Sequence, residues 1–275
     1  PRPRRAAQAK VSFAVDVSGT TTVAVTLKRG IVAVSASTFG PQSLTFSIPE
    51  DITVGVNDDG LALFDAITVY EGTHLTQSFN VSSRVPNQKF VLPNSGIDTN
   101  LIRVSIRESS GSNILREYKE SKGLFEIGSD SPIYFLQEVE NERYEILFGD
   151  GIFGKKLTNG NVVTASYIKT EGKGGNGVAR LNFGATLKDQ DNGLLSGYEP
   201  SFTVTYPSES GDSIEDVRSV KYYAPRLYSA QYRAVTPRDY EAIIKTIYPA
   251  TESIAVVGGE ELSPPQFGKV QFSIT

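Results

Sequence analysis

Apolar and polar residues alternate with a period of two through most of this chain. Phe13, Val15 and Val17 interleave with Ala14 and Asp16, and Val23, Val25 and Leu27 follow a Ser18-Gly19 turn. Short runs at Ile31, Val32 and Val34 and at Leu44, Phe46 and Ile48 continue the pattern. These residues are β-branched or aromatic and are separated by Gly, Pro, Asn and Asp, which predicts successive strands. Residues 61–64 read equally as a short helix or a strand. Strand character resumes at Ile67, Val69 and Tyr70, turns at Glu71-Gly72, and returns over 79–81, 89–92, 101–106 and 114–118. Residues 133–140 and 143–148 read as a strand pair about Asn141-Glu142. Strands over 162–169 and 202–206 follow, with Gly-rich connections before 162 and over 172–177.

After residue 210 the period changes. Ser213 reads as a cap, and Ile214, Val217 and Val220 share one face of a helix expected to end before Pro225. A second helix has the clearest start in the chain. Thr236 suits the N-cap, Pro237 the first helical position, and Asp239 closes a short capping box. Tyr240, Ile243, Ile244 and Ile247 then form an apolar stripe that Pro249 stops. Strands over 253–257 and 270–274 complete the order. The expected fold class is α+β, mostly antiparallel β with a C-terminal helix–helix–strand–strand region, and multidomain. The expected partition is a linker or tail over 1–10, a β-rich domain over 11–125, a β-rich domain with Gly-rich loops over 126–208, and an α+β domain over 209–275.

Composition narrows the function classes. A net charge of −4 over 275 residues gives no field for nucleic acid, and only Arg2, Arg4, Arg5 and Lys10 make a basic lead. No apolar run reaches the roughly 18 residues that would span a bilayer. The chain has no cysteine, which removes disulfides and Cys-ligated zinc. It also has no methionine, and residues 269–275 read as a strand without a clear end; both suggest an interior fragment.

Several motifs match chemistry by spelling alone. Gly149-Asp150-Gly151-Ile152-Phe153-Gly154-Lys155 fits both G-x-G-x-x-G and most of a P-loop. Each needs a helix to start there, so that its N–H groups meet phosphate. The residues that follow, 155–160, read instead as a turn, and Lys156 stands where the magnesium-binding hydroxyl would be. Asn57-Asp58-Asp59-Gly60 reads as an Asx turn, since Thr68 falls where a calcium loop needs its glutamate. His74 is the only histidine and reads as an exposed or hydrogen-bonded loop residue. Paired carboxylates at Asp58/Asp59 and Glu215/Asp216 sit in turn and cap contexts. No catalytic, cofactor or metal site is expected, and the chain reads as a non-enzyme.

Three segments together carry a resemblance. They are residues 144–154 with Gly160, Val162, Tyr167 and the 172–176 loop behind them; Pro207-Ser208-Glu209-Ser210 with the following helix; and Ala224-Pro225 through Arg233-Ala234-Val235-Thr236-Pro237-Arg238-Asp239-Tyr240. Tyr70-Glu71-Gly72 and Phe90-Val91-Leu92-Pro93 add a weaker echo. In this order they resemble the baseplate J-like family of contractile-tailed phages and related injection machines, and within it the C-terminal portion of a ring-forming wedge component. The resemblance spans about residues 65–275. It implies a structural role in a virion tail baseplate assembled in the bacterial host cytoplasm, with self-association as a dimer or ring and contacts to other baseplate wedge proteins. It brings no catalytic residues, no cofactor, no nucleic acid and no membrane insertion.

The Tyr/Arg-rich approach to the second helix suits contact surfaces. Tyr222, Tyr223, Tyr228, Tyr232 and Arg233 are therefore candidate interface residues. The same tyrosines read equally well as packing between the two helices and the sheet. The alternative function is a β-rich receptor- or carbohydrate-binding tail module, which would need exposed aromatic platforms on loops. A cell-wall hydrolase would need an acid pair that the sequence does not display.

Overall fold

A computed structural model describes residues 2–36, 43–121, 127–198, 200–231, 233–248, 251 and 253–275. The chain forms two compact units: Pro3–Ser213, and Ile214–Thr275 together with Arg2.

The large unit is built from strands in chain order: β1 (Gln8–Asp16), β2 (Ala24–Leu27), β3 (Gly30–Ser35), β4 (Thr45–Ile48), β5 (Ile52–Gly55), β6 (Leu61–Glu71), β7 (Thr73–Asn80), β8 (Phe90–Val91), β9 (Arg103–Arg107), β10 (Leu115–Glu120), β11 (Ile133–Val139), β12 (Arg143–Phe148), β13 (Val162–Lys169), β14 (Leu181–Phe183), β15 (Leu187–Asp189), β16 (Leu194–Leu195) and β17 (Thr203–Glu209). Among the described residues these make three sheets. Their orders are β14-β3-β4-β6-β1-β17, β7-β13-β9-β10-β11-β12-β8 and β16-β15-β2-β5. Pairing is antiparallel except between β10 and β11.

The expected division at 125/126 does not separate these sheets. The seven-stranded sheet mixes strands from both sides of it, and β1 and β3 take β17 and β14 as edge partners. Residues 8–10, expected in a tail, are the first residues of β1. Arg5 exchanges backbone hydrogen bonds of 3.0 Å with Asp212, and Ala6 N–H donates to Asp98 Oδ2 at 2.8 Å. Ala6, Ala7 and Ala9 are buried. Small side chains let this segment lie deep in the unit, and they leave no alternation for a sequence reading to find.

Two cores follow from the alternation. In the first, Phe13 stacks on Phe64 with ring centroids 4.5 Å apart, and Phe183 and Phe202 pack around Phe13. Each fully buried aromatic of this kind contributes about 1.5–3 kcal/mol. In the second, Phe90 meets Phe79 and Phe148 edge-on, and Tyr118 meets Phe148 likewise. The ambiguity at 61–64 resolves as strand. β6 pairs with β1 along its length, but the register shifts where Asp65 and Ala66 face Ser12. Ala66 adopts a φ of 48°, and its N–H donates to Ser12 Oγ at 2.9 Å. This bulge breaks the period that the sequence would otherwise show.

The small unit contains α1 (Val217–Ala230), α2 (Pro237–Ile247), β18 (Ile254–Gly258) and β19 (Val270–Ile274). β18 and β19 pair antiparallel, and α2 packs on β18. The expected order of helix, helix, strand, strand is observed. Its first helix differs in both ends. Asp216, not Ser213, is the N-cap, and α1 runs through Pro225. Proline removes a donor and crowds the preceding turn. Here the Arg226 guanidinium lies over the Tyr222 ring, 3.6 Å from its centroid, and donates to the Tyr222 carbonyl. α1 ends at Gln231 in the left-handed region, φ 47°.

Candidate functional site

The motifs rejected on sequence fold as turns. No helix follows Gly149-Asp150-Gly151. Asp150 Oδ1 instead accepts from the N–H groups of Ile152 at 2.8 Å and Phe153 at 2.9 Å. These bonds hold the Asp150 carboxyl below the usual range. A Cβ on Gly149 would lie 2.2 Å from Gly154, so only glycine permits the loop to close. Asn57 Oδ1 accepts from Asp59 N–H at 3.1 Å and Leu61 N–H at 2.8 Å, an Asx turn. His74 departs from expectation. It lies in β7 opposite Ile168, half-buried, and its Nε2 meets no hydrogen-bond partner among the described residues. Burial, then the Arg29 charge, lowers its pKa, so the imidazole is neutral at pH 7. No group of three or more His, Cys, Asp or Glu side chains converges on a metal-sized site among the described residues.

The capping box of α2 forms as the spacing predicts. Thr236 Oγ1 accepts from Asp239 N–H at 3.3 Å, and Asp239 Oδ2 accepts from Thr236 N–H at 2.8 Å. These backbone bonds hold the Asp239 carboxyl below the ordinary range. The box fixes the entry of α2, and with it the chain between the helices.

Of the candidate interface residues, Tyr222 and Tyr223 meet edge-on, centroids 4.9 Å apart. Tyr223 is half-buried and Tyr222 is exposed. Tyr228 is 87% exposed, which excludes packing inside the small unit. Six residues along the helix turn Tyr228 about 120° away from Tyr222, so these two do not share a face. Arg233 is exposed and donates to Gln231 Oε1 at 3.2 Å. Tyr232 lies outside the described residues.

A second exposed surface was missed by sequence reasoning. Val270, Phe272 and Ile274 project from one face of β19, and all three are exposed. Their alternation with Gln271 and Ser273 is the signal that was present. The alternation predicts a strand, and it does not tell that one face stays uncovered. Among the described residues β19 pairs with β18 alone, and its segment Val-Gln-Phe-Ser-Ile carries no charge to guard the free edge.

Sequence reasoning also missed Glu71, which reads as a turn residue. It ends β6 and is 2% exposed. Its carboxylate accepts from the Thr170 hydroxyl and from Glu171 N–H at 3.1 Å. Burial pushes the carboxyl above the usual range, more than these donors and Arg4 pull it down. The role is structural: Glu71 anchors the start of the Gly-rich turn at Gly172–Gly175, and a Cβ on Gly175 would lie 2.6 Å from Glu71 Cγ.

Taken together, the described residues display a packed β body and a helix–strand unit with apolar and tyrosine-bearing surface, the features of a structural interaction module. Comparison with known proteins gives that class a particular likeness. Residues 236–275 match the family described as baseplate structural protein gp6, C-terminal domain I. Over 213 residues the chain is 21% identical to the baseplate wedge protein gp6 of Enterobacteria phage T4, covering 71% of this chain. The alignment takes in 30% of that relative, so the chain corresponds to under a third of its length. The family match falls on α2, β18 and β19, the elements that carry the exposed apolar strand.

Proposed function

We propose that this chain is a structural component of a contractile phage tail baseplate. It joins wedges into a ring around the hub through self-association and contacts with other wedge proteins, within a virion assembled in the host cytoplasm. The observation that carries this reading is the position of the uncovered apolar surface. Val270, Phe272 and Ile274 stand exposed in the segment matched by a baseplate structural protein. A ring needs surfaces that close geometrically, and exposed aromatic and aliphatic side chains supply their area. Tyr222, Tyr223, Tyr228, Tyr232 and Arg233 belong to these contacts, with the exposure of Tyr228 as support.

The test is mass in solution as a function of concentration, for the chain alone and with candidate wedge proteins. Concentration-dependent association is expected. Changing Tyr228→Ala together with Tyr232→Ala should weaken it about 10-fold or more while leaving the circular-dichroism spectrum intact. A strict monomer that binds no wedge protein would overturn the reading. Loss of the fold in the double variant would instead assign Tyr232 to intramolecular packing.

A further inference from the structure

The seven-stranded sheet contains a stretch of open edge. On one side, β10 pairs with β9 through Leu115, Arg116, Glu117 and Tyr118. On the other, among the described residues, only Lys119 and Glu120 find a partner, in β11. Lys119 N–H donates to the Pro132 carbonyl at 3.0 Å and Ser121 N–H to Tyr134 O at 2.8 Å, which sets the direction of the peptide groups. Peptide groups alternate sides along a strand. Leu115 and Glu117 share the parity of Lys119, so their N–H and C=O groups point away from β9. They meet no strand among the described residues. Leu115, Arg116 and Glu117 are all exposed.

Each face of this edge opens on a cavity. On the face of Leu115, Glu117 and Lys119 lies a 340 Å3 cavity, with Pro49 and Ile102 in its lining. Its charges balance: Arg29, Arg103 and Lys119 against Glu50, Glu117 and Glu120. Arg103 is already engaged by Glu50 and by the Asn100 and Ile102 carbonyls. On the face of Arg116 lies a 310 Å3 cavity, where Arg116, Lys155 and Lys156 outnumber Glu108. Among the described residues Lys155 has Asp130 at 4.0 Å, and the charge of Lys156 acts on the Asp150 carboxyl.

We infer that the open edge of β10 is a strand-addition site for an extended acidic segment of a partner protein. Its acidic side chains face Arg116, Lys155 and Lys156, and the alternating aliphatic ones lie over Leu115 and Ile102. An added strand sends successive side chains to opposite faces, which is how the two cavities are placed. Main-chain hydrogen bonds to residues 115 and 117 give affinity, and the cavities give selectivity. The inference rests on the sheet alone and stands apart from the baseplate reading.

The test uses the whole chain and a fluorescein-labelled peptide, Gly-(Glu-Val)3-Glu-Gly, read by fluorescence anisotropy. Binding in the micromolar range is expected. Glu117→Pro removes an outward N–H without touching the β9 ladder, so it should weaken binding about 10-fold or more with an unchanged circular-dichroism spectrum. The double change Arg116→Glu with Lys156→Glu should produce a comparable loss, as should methylation of alternate peptide nitrogens. If Glu117→Pro misfolds, these last two arms decide. Failure of the wild type to bind at millimolar peptide would overturn the inference. So would equal binding of a peptide with lysine for glutamate, or a full-strength response in the folded Glu117→Pro protein.

Discussion

In the large unit, Phe46 and Phe64 are sealed from solvent, and so is almost all of Tyr167. In the small unit, Phe272 is 55% exposed and Phe267 is more exposed still. The two regions therefore place aromatic residues in opposite environments. In the large unit two of the sheets share one core, and the seven-stranded sheet encloses a second. The small unit has only two strands, and α2 packs on β18 while the side chains of β19 stay bare. Two strands alone are marginal in water and gain stability from whatever covers their apolar face. The difference separates a region stabilised by its own core from one whose apolar surface is offered outward.

Substitutions can break or sharpen that contrast. The largest effect is expected for Phe64→Ala, which empties the stack with Phe13. It should cost about 3–5 kcal/mol in urea unfolding followed by circular dichroism. A loss under ~1 kcal/mol would mean that the first core is not tightly packed. Glu71→Gln is a milder probe of the same unit. The Glu71 carboxyl is raised in the fold, so the folded chain holds that proton more tightly than the unfolded one. Its contribution is complete below the unfolded carboxyl value, about 4.3, and is lost as pH rises through the folded value. The stability of the wild type minus that of the Glu71→Gln variant, measured from pH 4 upward, should therefore decline with pH; a flat difference would show that the Thr170 and Glu171 donors compensate burial. The smallest effect is expected for Phe272→Ser. Unfolding free energy should move by less than ~0.5 kcal/mol, because an exposed side chain has little burial to lose. A cost above ~2 kcal/mol would place Phe272 in a core and erase the contrast between the units.

Much of this organisation was legible in the chain. Alternation located most of the strands, Asn141-Glu142 supplied the positive φ angles of its hairpin, and the Thr236 box formed as spelled. Local rules failed where distant partners decide. Ala6 and Ala7 look like tail residues until Asp98 and Glu71 bond to their backbone. Glu71 looks like a turn residue because its donors lie about a hundred positions away, in Thr170 and Glu171. Pro225 looks like a helix stop by residue type, yet α1 continues through it to Ala230. At the candidate interface, residue type and spacing identified contact-forming chemistry but not exposure. Tyr228 turned outward and Tyr223 partly inward from the same helix.

The pairing of β1 with β17 also sets a schedule for biosynthesis. Residues 8–16 enter the middle of a sheet whose edge is supplied by residues 203–209. Ribosomes add about 5–20 residues per second, so that edge follows β1 by roughly 10–40 s. Through that interval the nascent chain carries β1 with one flank unfilled, and β3 waits in the same way for β14. Chaperone occupancy on the ribosome should therefore persist until residue 209 has cleared the exit tunnel and then fall abruptly, instead of stepping down strand by strand.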